Sequence, residues 1–440
     1  MNNSNILPLD SGAEGLSNAD LQAYVDQVAD AWVTANGVKR LLLVPPDHTR
    51  LHSFAGPITK MFWDRLHESV QIDILPALGT HKPMTTEQLR LMFGDDVGQG
   101  GIPLERFLPH DWRNDLQTLG TVPGERLAEL SGGRITQAVD VAVNRRIVGS
   151  LEDGGGYDLV LSIGQVVPHE VIGFANYTKN ICIGCGGGQM LQTSHFLGAV
   201  CGIEDILGQA DTPVRQFIDT AFDEFVRPQA DIRFVLTVVD GSGEEPILRT
   251  IGASSDDRSF HWSAERSAAL NLTQVDRPIN RCVVMLDPRE FASTWLGNKA
   301  IYRTRKAMAD DGELIVLAPA VDTFGEDEAI DRLIRRHGYN GTPATLAALE
   351  SDPELAGNLS AAAHLIHGST EGRFQVVYCT DEQVGLKADE ICSVGYTHRP
   401  YAATAEQFGV NNLADGWHEG PDGEPFFFIR NPALGLWTCG

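Results

Sequence analysis

The sequence has no uninterrupted run of about 18 apolar residues, roughly the length that an α-helix needs to cross a bilayer. Its first residues, MNNSNILPLDSGAEGL, also lack the basic segment and following apolar segment of a secretory signal. The seven cysteines are odd in number and widely scattered, which does not fit a disulfide framework. We therefore expect a cytoplasmic protein with reduced thiols and no membrane partner.

Basic residues are scarce as well. The chain has 34 Lys and Arg residues against 59 Asp and Glu residues, which gives a formal net charge of −25. Such an acidic surface repels nucleic-acid backbones and anionic lipid heads. We therefore expect no nucleic-acid partner, and an anionic ligand would have to be held by local Lys, Arg or a metal ion.

What the chain does contain is an alternating strand and helix pattern. Six continuous apolar runs are typical of strands buried on both faces of a parallel sheet. They occupy residues 40–47, 70–78, 157–165, 281–287, 312–320 and 374–380. Helical periodicity predicts helices over residues 21–34, 85–93, 301–309 and 326–336. The pattern predicts an α/β protein with mostly parallel sheets.

The length of 440 residues and the hydrophobic content of 42% suit two domains better than one. A hairpin-like stretch is followed by a polar connection and then by a fresh strand near residue 281. We therefore predict an N-terminal catalytic and cofactor-binding domain, residues 1–275. A C-terminal α/β domain, residues 276–440, is expected to contribute substrate contacts, with the active site in the cleft between the two.

Polar motifs stand at four places next to these runs. They read PPDHTR (45–50), GTHKP (79–83), PHEVIGFANYTK (168–179) and IYRTRKAM (301–308). Open α/β sheets bind ligands outside the carboxyl ends of their strands, so the motifs favour one shared cleft. Residues in these motifs also have plainer interpretations. Asp47 could cap a helix N-terminus, His81 could be a turn residue, and Lys179 could be a solvated surface cation.

The stretch CIGCGGG (182–188) invites two further readings. Cys182 and Cys185 form a CxxC pair, but zinc is disfavoured because no second CxxC pair exists. The glycines either present backbone N–H groups to a phosphate or allow tight packing, and the sequence leaves both open. The pair of histidines in HLIH (364–367) also has no partner motif that completes a metal site.

Taken together, the motifs resemble those of the nickel-dependent lactate racemase family. That family has a DxTR motif, a G-x-H-[RK]-P motif, and a PH…K motif followed by a metal-binding His. The present chain has Asp47 and Arg50 in DHTR, His81 in GTHKP, His169 and Lys179 in PHEVIGFANYTK, and then His195. The resemblance follows these motifs in order along nearly the whole chain.

The resemblance implies a nickel-pincer nucleotide, the pyridinium-3-thioamide-5-thiocarboxylic acid mononucleotide, attached covalently to Lys179. It implies His195 as the nickel ligand, Asp47 and Arg50 as cofactor-binding residues, and cofactor-synthesis proteins as partners. His81 and His169 would be the catalytic acid/base pair, since an imidazole with a pKa of about 6.5 titrates near working pH. Arg50 would also bind the substrate, because its planar fork suits a carboxylate.

The reaction that this implies is racemisation or epimerisation at C2 of a 2-hydroxy acid by hydride transfer. In the second domain, Arg303 stands where the family has Gln and Lys306 matches its Lys, while His398 follows in GYTHRPY. These cations favour a substrate larger and more polar than lactate, such as the aldonate D-gluconate in a 2-epimerase. Their plainer interpretation is a solvated helix surface.

Three alternatives stay open. The first is racemisation of lactate or of another short 2-hydroxy acid. The second is a nicotinamide-dependent hydroxyacid dehydrogenase, which is disfavoured because the GxGxxG fingerprint with its distal acidic residue is missing. The third is a non-catalytic protein that binds an organic acid.

Overall fold

The computed structural model describes residues 6–150, 152, 154–241, 246–433 and 435–439. The chain divides into two compact units, the first comprising Met1–Ser194 with Gly208–Asn271 and the second comprising His195–Leu207 with Leu272–Gly440. The division into domains at residues 275 and 276 stays a prediction. The units differ from it mainly in grouping His195–Leu207 with the C-terminal part of the chain.

The regular elements of both units are as follows. The strands are β1 Leu9–Asp10, β2 Arg40–Val44, β3 Gln71–Ile74, β4 Leu116–Val122, β5 Val139–Asn144, β6 Leu159–Gln165, β7 Pro168–His169, β8 Gly173–Phe174, β9 Ile232–Asp240, β10 Ile247–Ser254, β11 Leu272–Val275, β12 Ile279–Met285, β13 Met308–Ala318, β14 Gln375–Thr380, β15 Thr397–His398, β16 Gly416–Glu419, β17 Pro425–Ile429 and β18 Leu436–Cys439. The α-helices are α1 Asn18–Val28, α2 Ala55–Leu66, α3 Thr86–Phe93, α4 Gly124–Ser131, α5 Arg145–Val148, α6 Thr178–Cys182, α7 Gly188–Cys201, α8 Ile203–Ile206, α9 Pro213–Ala221, α10 Arg258–Asn271, α11 Thr294–Gly297, α12 Lys299–Thr304, α13 Glu328–His337, α14 Thr342–Ser351, α15 Pro353–Ala356, α16 Leu359–Gly368, α17 Ala388–Ser393 and α18 Tyr401–Phe408. Short 3₁₀ or π segments span Ala29–Thr34, His48–Ser53, Leu104–Arg106, Phe222–Val226 and Val410–Asn412.

The first unit is built on a six-stranded sheet in the order β1-β10-β9-β6-β2-β3. The strands β3, β2, β6 and β9 run parallel, whereas β10 and β1 add an antiparallel edge. Every residue of β6 and β9 is buried, as expected for strands that are covered on both faces. The carboxyl ends of β2, β3 and β6 therefore share one edge of the sheet, and the N-terminal motifs follow these ends in the sequence.

The second unit has its own six-stranded sheet, in the order β15-β14-β13-β12-β17-β16. All neighbouring pairs are parallel except β16 with β17. One face packs an apolar cluster that includes Ile315, Val377, Phe408 and Phe428. The predicted α/β class with mostly parallel sheets is confirmed, and all six predicted strands are present.

One predicted helix is wrong in its length. The periodicity over residues 301–309 indicates a continuous helix, but α12 ends at Thr304 and β13 begins at Met308. Met308 is paired with Ile279 at the start of the ladder between β13 and β12, so sheet pairing outweighs local helical preference there.

Among the helices of the described residues, none combines the length and the apolar character of a membrane span.

Candidate functional site

Asp47 connects two of the sequence motifs. It follows β2 and caps the 3₁₀ segment that begins at His48, and its Oδ1 accepts the backbone N–H of Thr49 at 3.1 Å. Its other oxygen, Oδ2, lies 2.6 Å from Nδ1 of His81. Asp47 can therefore both cap the segment after β2 and orient His81, because each role uses a different oxygen of the carboxylate.

The environment of Asp47 keeps it ionised. Burial opposes this, but hydrogen bonds from His81 and Thr49 outweigh burial and hold the pKa of the Asp47 carboxyl below its ordinary value. The Asp47 side chain is 4% exposed, whereas that of His81 is 59% exposed. Because a carboxylate only accepts hydrogen bonds, Nδ1 of His81 donates and the neutral ring carries its lone pair on Nε2. A general base needs this arrangement.

His169 and Lys179 form the second pair. Nδ1 of His169 accepts the backbone N–H of Val171 at 3.1 Å, and Nε2 lies 3.1 Å from Nζ of Lys179. Since Nδ1 accepts, the proton of the neutral ring sits on Nε2. Nε2 can donate to Lys179 only when that amine is neutral and offers its lone pair.

The surroundings of Lys179 destabilise its charged form. Burial, with a further contribution from the charge of Arg50 and a smaller one from Arg215, lowers the pKa of Lys179 to about 8, while Glu170 acts in the opposite direction. A lysine amine with a pKa close to neutrality is a usable nucleophile. The site therefore fits a cofactor attached through a lysine, and no ordinary solvated lysine has these properties.

Several hydrogen bonds bring the N-terminal motifs to one edge of the sheet. Asn180, the neighbour of Lys179, donates from Nδ2 to the carbonyl of Val44 and to Oγ of Ser162, at the ends of β2 and within β6. The N–H of Gly79 donates to the carbonyl of Gly184, which joins the turn before His81 to the end of α6. The expected grouping of strand-end residues is thus present in the first unit for Asp47, Arg50, His81, His169 and Lys179.

Burial disfavours metal binding by the cysteine pair. Cys182 and Cys185 are fully buried, and burial raises the pKa of both thiols well above the ordinary value. A neutral buried thiol is a poor metal ligand and a poor redox group. Within the part of the chain that the structure describes, no group of three or more His, Cys, Asp or Glu side chains is placed to hold a metal ion. A nickel that takes most of its ligands from a cofactor would not need such a group.

The glycine run serves backbone packing. A Cβ atom on Gly186 would lie 1.8 Å from the carbonyl oxygen of Cys182. The N–H of Gly187 donates to the carbonyl of Ala142 on β5. Buried His110 adds a contact from Nε2 to the carbonyl of Gly186 at 3.2 Å. Of the two readings left open for the run, close packing is the one that these contacts support.

His195 lies on α7, half-buried, in the stretch that is grouped with the second unit. The three other predicted residues also belong to the second unit. Arg303 is 5% exposed on α12, so it does not belong to a solvated helix surface. Nζ of Lys306 approaches the carbonyl of Leu207 at 3.5 Å, and Nε2 of His398 lies 3.0 Å from Oγ1 of Thr380 at the end of β14.

Two further residues have roles that the sequence did not reveal. His364 of the HLIH stretch contacts the hydroxyls of Tyr302 and Tyr339 at 2.9 and 3.0 Å, and burial lowers its pKa to about 3, so it is a neutral core residue. Arg215 on α9 is buried behind Lys179 and donates to Phe174, Asn176 and Thr178. The one available signal for Arg215 was a cation on a helix with a strongly apolar face.

Comparisons with known proteins agree with these observations. Residues 22–204 match the family model described as the lactate racemase N-terminal domain. A lactate racemase from Thermoanaerobacterium thermosaccharolyticum is 27% identical over 165 residues, which cover 37% of the present chain and 33% of that protein. The chain thus aligns with about a third of the length of this curated relative.

Two solved structures have the same fold. A crystal structure of a protein from Thermotoga maritima superposes with a TM-score of 0.78 at 22% identity, covering 98% of this chain and 100% of that one. The lactate racemase apoprotein from Thermoanaerobacterium thermosaccharolyticum gives a TM-score of 0.68 at 17% identity, covering 95% and 92%. At these identities the likeness concerns the fold alone.

Proposed function

We propose that the chain is an isomerase that inverts C2 of a 2-hydroxy acid, because its residues 22–204 match the lactate racemase N-terminal domain. The observation that carries the proposal is the pairing of His169 with Lys179 across 3.1 Å, beside the Asp47–His81 pair. A nucleophilic lysine next to two oriented imidazoles suits a tethered cofactor with acid/base groups around it.

Four residues are proposed to hold the nickel-pincer nucleotide. Lys179 would carry the covalent bond, His195 would provide an imidazole ligand to nickel, and Arg50 and Asp47 would bind near the nucleotide. Neutral imidazole is a suitable ligand for Ni(II). When bound, this cofactor supplies hydride transfer to and from C2 of the substrate, which avoids a carbanion next to a carboxylate.

The two histidines are proposed to move the hydroxyl proton. His81 has its lone pair on Nε2 because Asp47 holds Nδ1, so it is set to accept a proton from a hydroxyl group. The imidazolium that forms is stabilised by the adjacent carboxylate. His169 would serve as the corresponding group for the opposite enantiomer or epimer, and Arg50 would hold the substrate carboxylate.

The substrate is proposed to be polar. Arg303, Lys306 and His398 would supply cationic or hydrogen-bonding contacts, of which a short apolar acid needs few. This set of side chains favours a polyhydroxylated or diacid substrate such as an aldonate. Lactate or another short 2-hydroxy acid is the second candidate, and it is favoured by the family of the N-terminal domain.

The decisive experiment measures intact mass and nickel content. The protein is produced in cells that carry the cofactor-synthesis genes, with Lys179→Arg as the matched control that keeps the charge. We expect a mass increase on Lys179 and bound nickel in the wild type, and neither in the control. Unmodified Lys179 and no nickel in the wild type would favour the dehydrogenase or binding-protein alternative.

Substrate choice is tested separately. Lactate, malate, phenyllactate and several aldonates are incubated with the loaded enzyme, and the products are separated by chiral chromatography. We expect the highest kcat/KM with an aldonate or a diacid. A preference for lactate would leave the reaction class standing and would contradict the polar-substrate proposal.

A further inference from the structure

The backbone directly before Lys179 is unusual. Asn176 has a φ of 67° and Tyr177 a φ of 59° with a ψ of −132°, and α6 begins at the next residue. Two consecutive non-glycine residues in the left-handed region are uncommon, and such conformations persist only where the surroundings enforce them. Something must therefore hold this turn in place.

Arg215 provides most of the contacts that hold the turn. One guanidinium nitrogen, Nη2, donates to the carbonyl of Phe174 at 2.8 Å. The other, Nη1, donates to Oγ1 of Thr178 at 2.9 Å, and both lie within 3.4 Å of the carbonyl of Asn176. A single planar fork thus spans the whole turn, from the strand before it to the first residue of α6.

This arrangement puts a cation in a buried place. Arg215 is 2% exposed and lies over the ring of Phe260 at 4.3 Å. The nearest carboxylate, Asp219, is 3.7 Å away, and it also accepts a hydrogen bond from Thr178. A buried cation with a single long ion pair is costly, so a neutral donor would make the same contacts at a lower cost in desolvation.

We propose that Arg215 is a positioning residue that builds the Phe174–Thr178 turn so that Nζ of Lys179 faces His169. Its positive charge would in addition disfavour protonation of that amine. The inference rests on the proposed role of Lys179 as the tether. The proposal explains why a charge is buried there and why the turn is strained. Together the two features place the amine of Lys179 for acylation before a cofactor binds. The charged and titratable groups around Lys179 include His169, Glu170, Arg50 and Arg215, with Asp219 paired to Arg215 behind them.

The test uses the full chain made without the cofactor-synthesis genes. The apoprotein is treated with a trace of N-acetoxysuccinimide between pH 6 and 10.5, and acetylation of each lysine is quantified by peptide mass spectrometry. Exposed Lys82 serves as the internal reference. We expect Lys179 of the wild type to titrate near 8. In Arg215→Gln the midpoint should rise, which lowers labelling of Lys179 at pH 7 relative to Lys82.

Two more variants separate positioning from general loosening. Arg215→Lys retains the charge without the planar fork, so labelling at pH 7 should lie between that of the wild type and that of Arg215→Gln. Asp219→Asn removes the carboxylate that offsets Arg215, so labelling of Lys179 at pH 7 should increase. A merely structural role predicts the same direction of change for Arg215→Gln and Asp219→Asn, whereas the proposal predicts opposite directions.

The role of Arg215 can be tested even if one of the variants fails to fold. If circular dichroism shows that Arg215→Gln is unfolded, Asp219→Asn alone is decisive, and unchanged or reduced labelling in it overturns the proposal. A folded Arg215→Gln with a wild-type profile overturns it as well. Since the assay contains neither hydroxy acid nor nickel, an absence of racemase activity would contradict the proposed function without affecting this result.

Discussion

Oδ2 of Asp47 lies 2.6 Å from Nδ1 of His81, while Oδ1 of the same carboxylate caps the segment that follows β2. One side chain therefore fixes both the backbone after the strand and the tautomer of a solvent-exposed imidazole. The arrangement separates the two functions of Asp47 experimentally, because Asn is as good a helix cap as Asp but is not an anion.

Asp47→Asn should leave the fold intact and impair turnover. The Asn amide can present an N–H to Nδ1 of His81, which shifts the ring proton to Nε2 and removes the lone pair that a base needs. We expect kcat to fall about 10²-fold or more, the scale of lost acid/base catalysis, with the midpoint of thermal unfolding changed little. A kcat close to that of the wild type would show that the carboxylate does not set the tautomer.

His81→Ala and His169→Ala are expected to keep the cofactor and to lose activity. Neither residue is a proposed nickel ligand or tether, so intact mass and nickel content should match the wild type. Turnover should fall about 10²-fold or more in each variant. Full activity in either variant would contradict the acid/base role of that histidine, and loss of nickel in either would assign it a binding role instead.

The cysteine pair is expected to be dispensable for the metal. In Cys182→Ala with Cys185→Ala, two buried thiols are replaced by methyl groups, which should lower the free energy of unfolding by about 1–3 kcal/mol through the cavities that remain. Nickel content and modification of Lys179 should be unchanged in material that is still folded. A proportionate loss of nickel would identify the thiols as ligands.

Arg303→Gln tests the basis of substrate preference. The change restores the neutral side chain that the family motif carries and removes a buried cation. We expect kcat/KM for an aldonate or diacid to fall by about tenfold or more, the scale of one charge-assisted hydrogen bond, with a smaller effect on lactate. Equal effects on both substrates would mean that Arg303 supports the structure of the second unit and not its specificity.

Much of the fold follows from sequence patterns, because buried parallel strands are continuous apolar runs. The strand-end positions of Asp47, His81 and Lys179 also follow from that pattern. The pattern does not give the distances between side chains or the exact ends of the elements. It does not show that Asp47 serves two partners, or that β13 starts at Met308 and ends the helical stretch early. The sequence does not single out Arg215, because PVRQFIDTA has the pattern of an ordinary amphipathic helix. Only the packed structure shows that the guanidinium of Arg215 lies behind Lys179.

Lys179 should make the apoprotein less stable than it would be with an apolar side chain. Burial and the nearby charges lower its pKa from 10.5 to about 8, so the unfolded chain binds more protons than the folded one between these pH values. Stability of the wild type therefore rises with pH across this window. Below pH 8 the penalty is on the order of 3 kcal/mol, because each pKa unit is worth about 1.4 kcal/mol.

Lys179→Met removes that penalty. We expect the variant apoprotein to exceed the wild type in free energy of unfolding by about 1–3 kcal/mol at pH 7, with the difference narrowing as the pH approaches 10.5. Urea titrations at several pH values measure it, and Lys82→Met, at an exposed lysine, is the matched control that should show little change at any pH. A Lys179→Met protein no more stable than the wild type at pH 7, or a difference independent of pH, would show that the pKa of Lys179 is not lowered in the folded apoprotein.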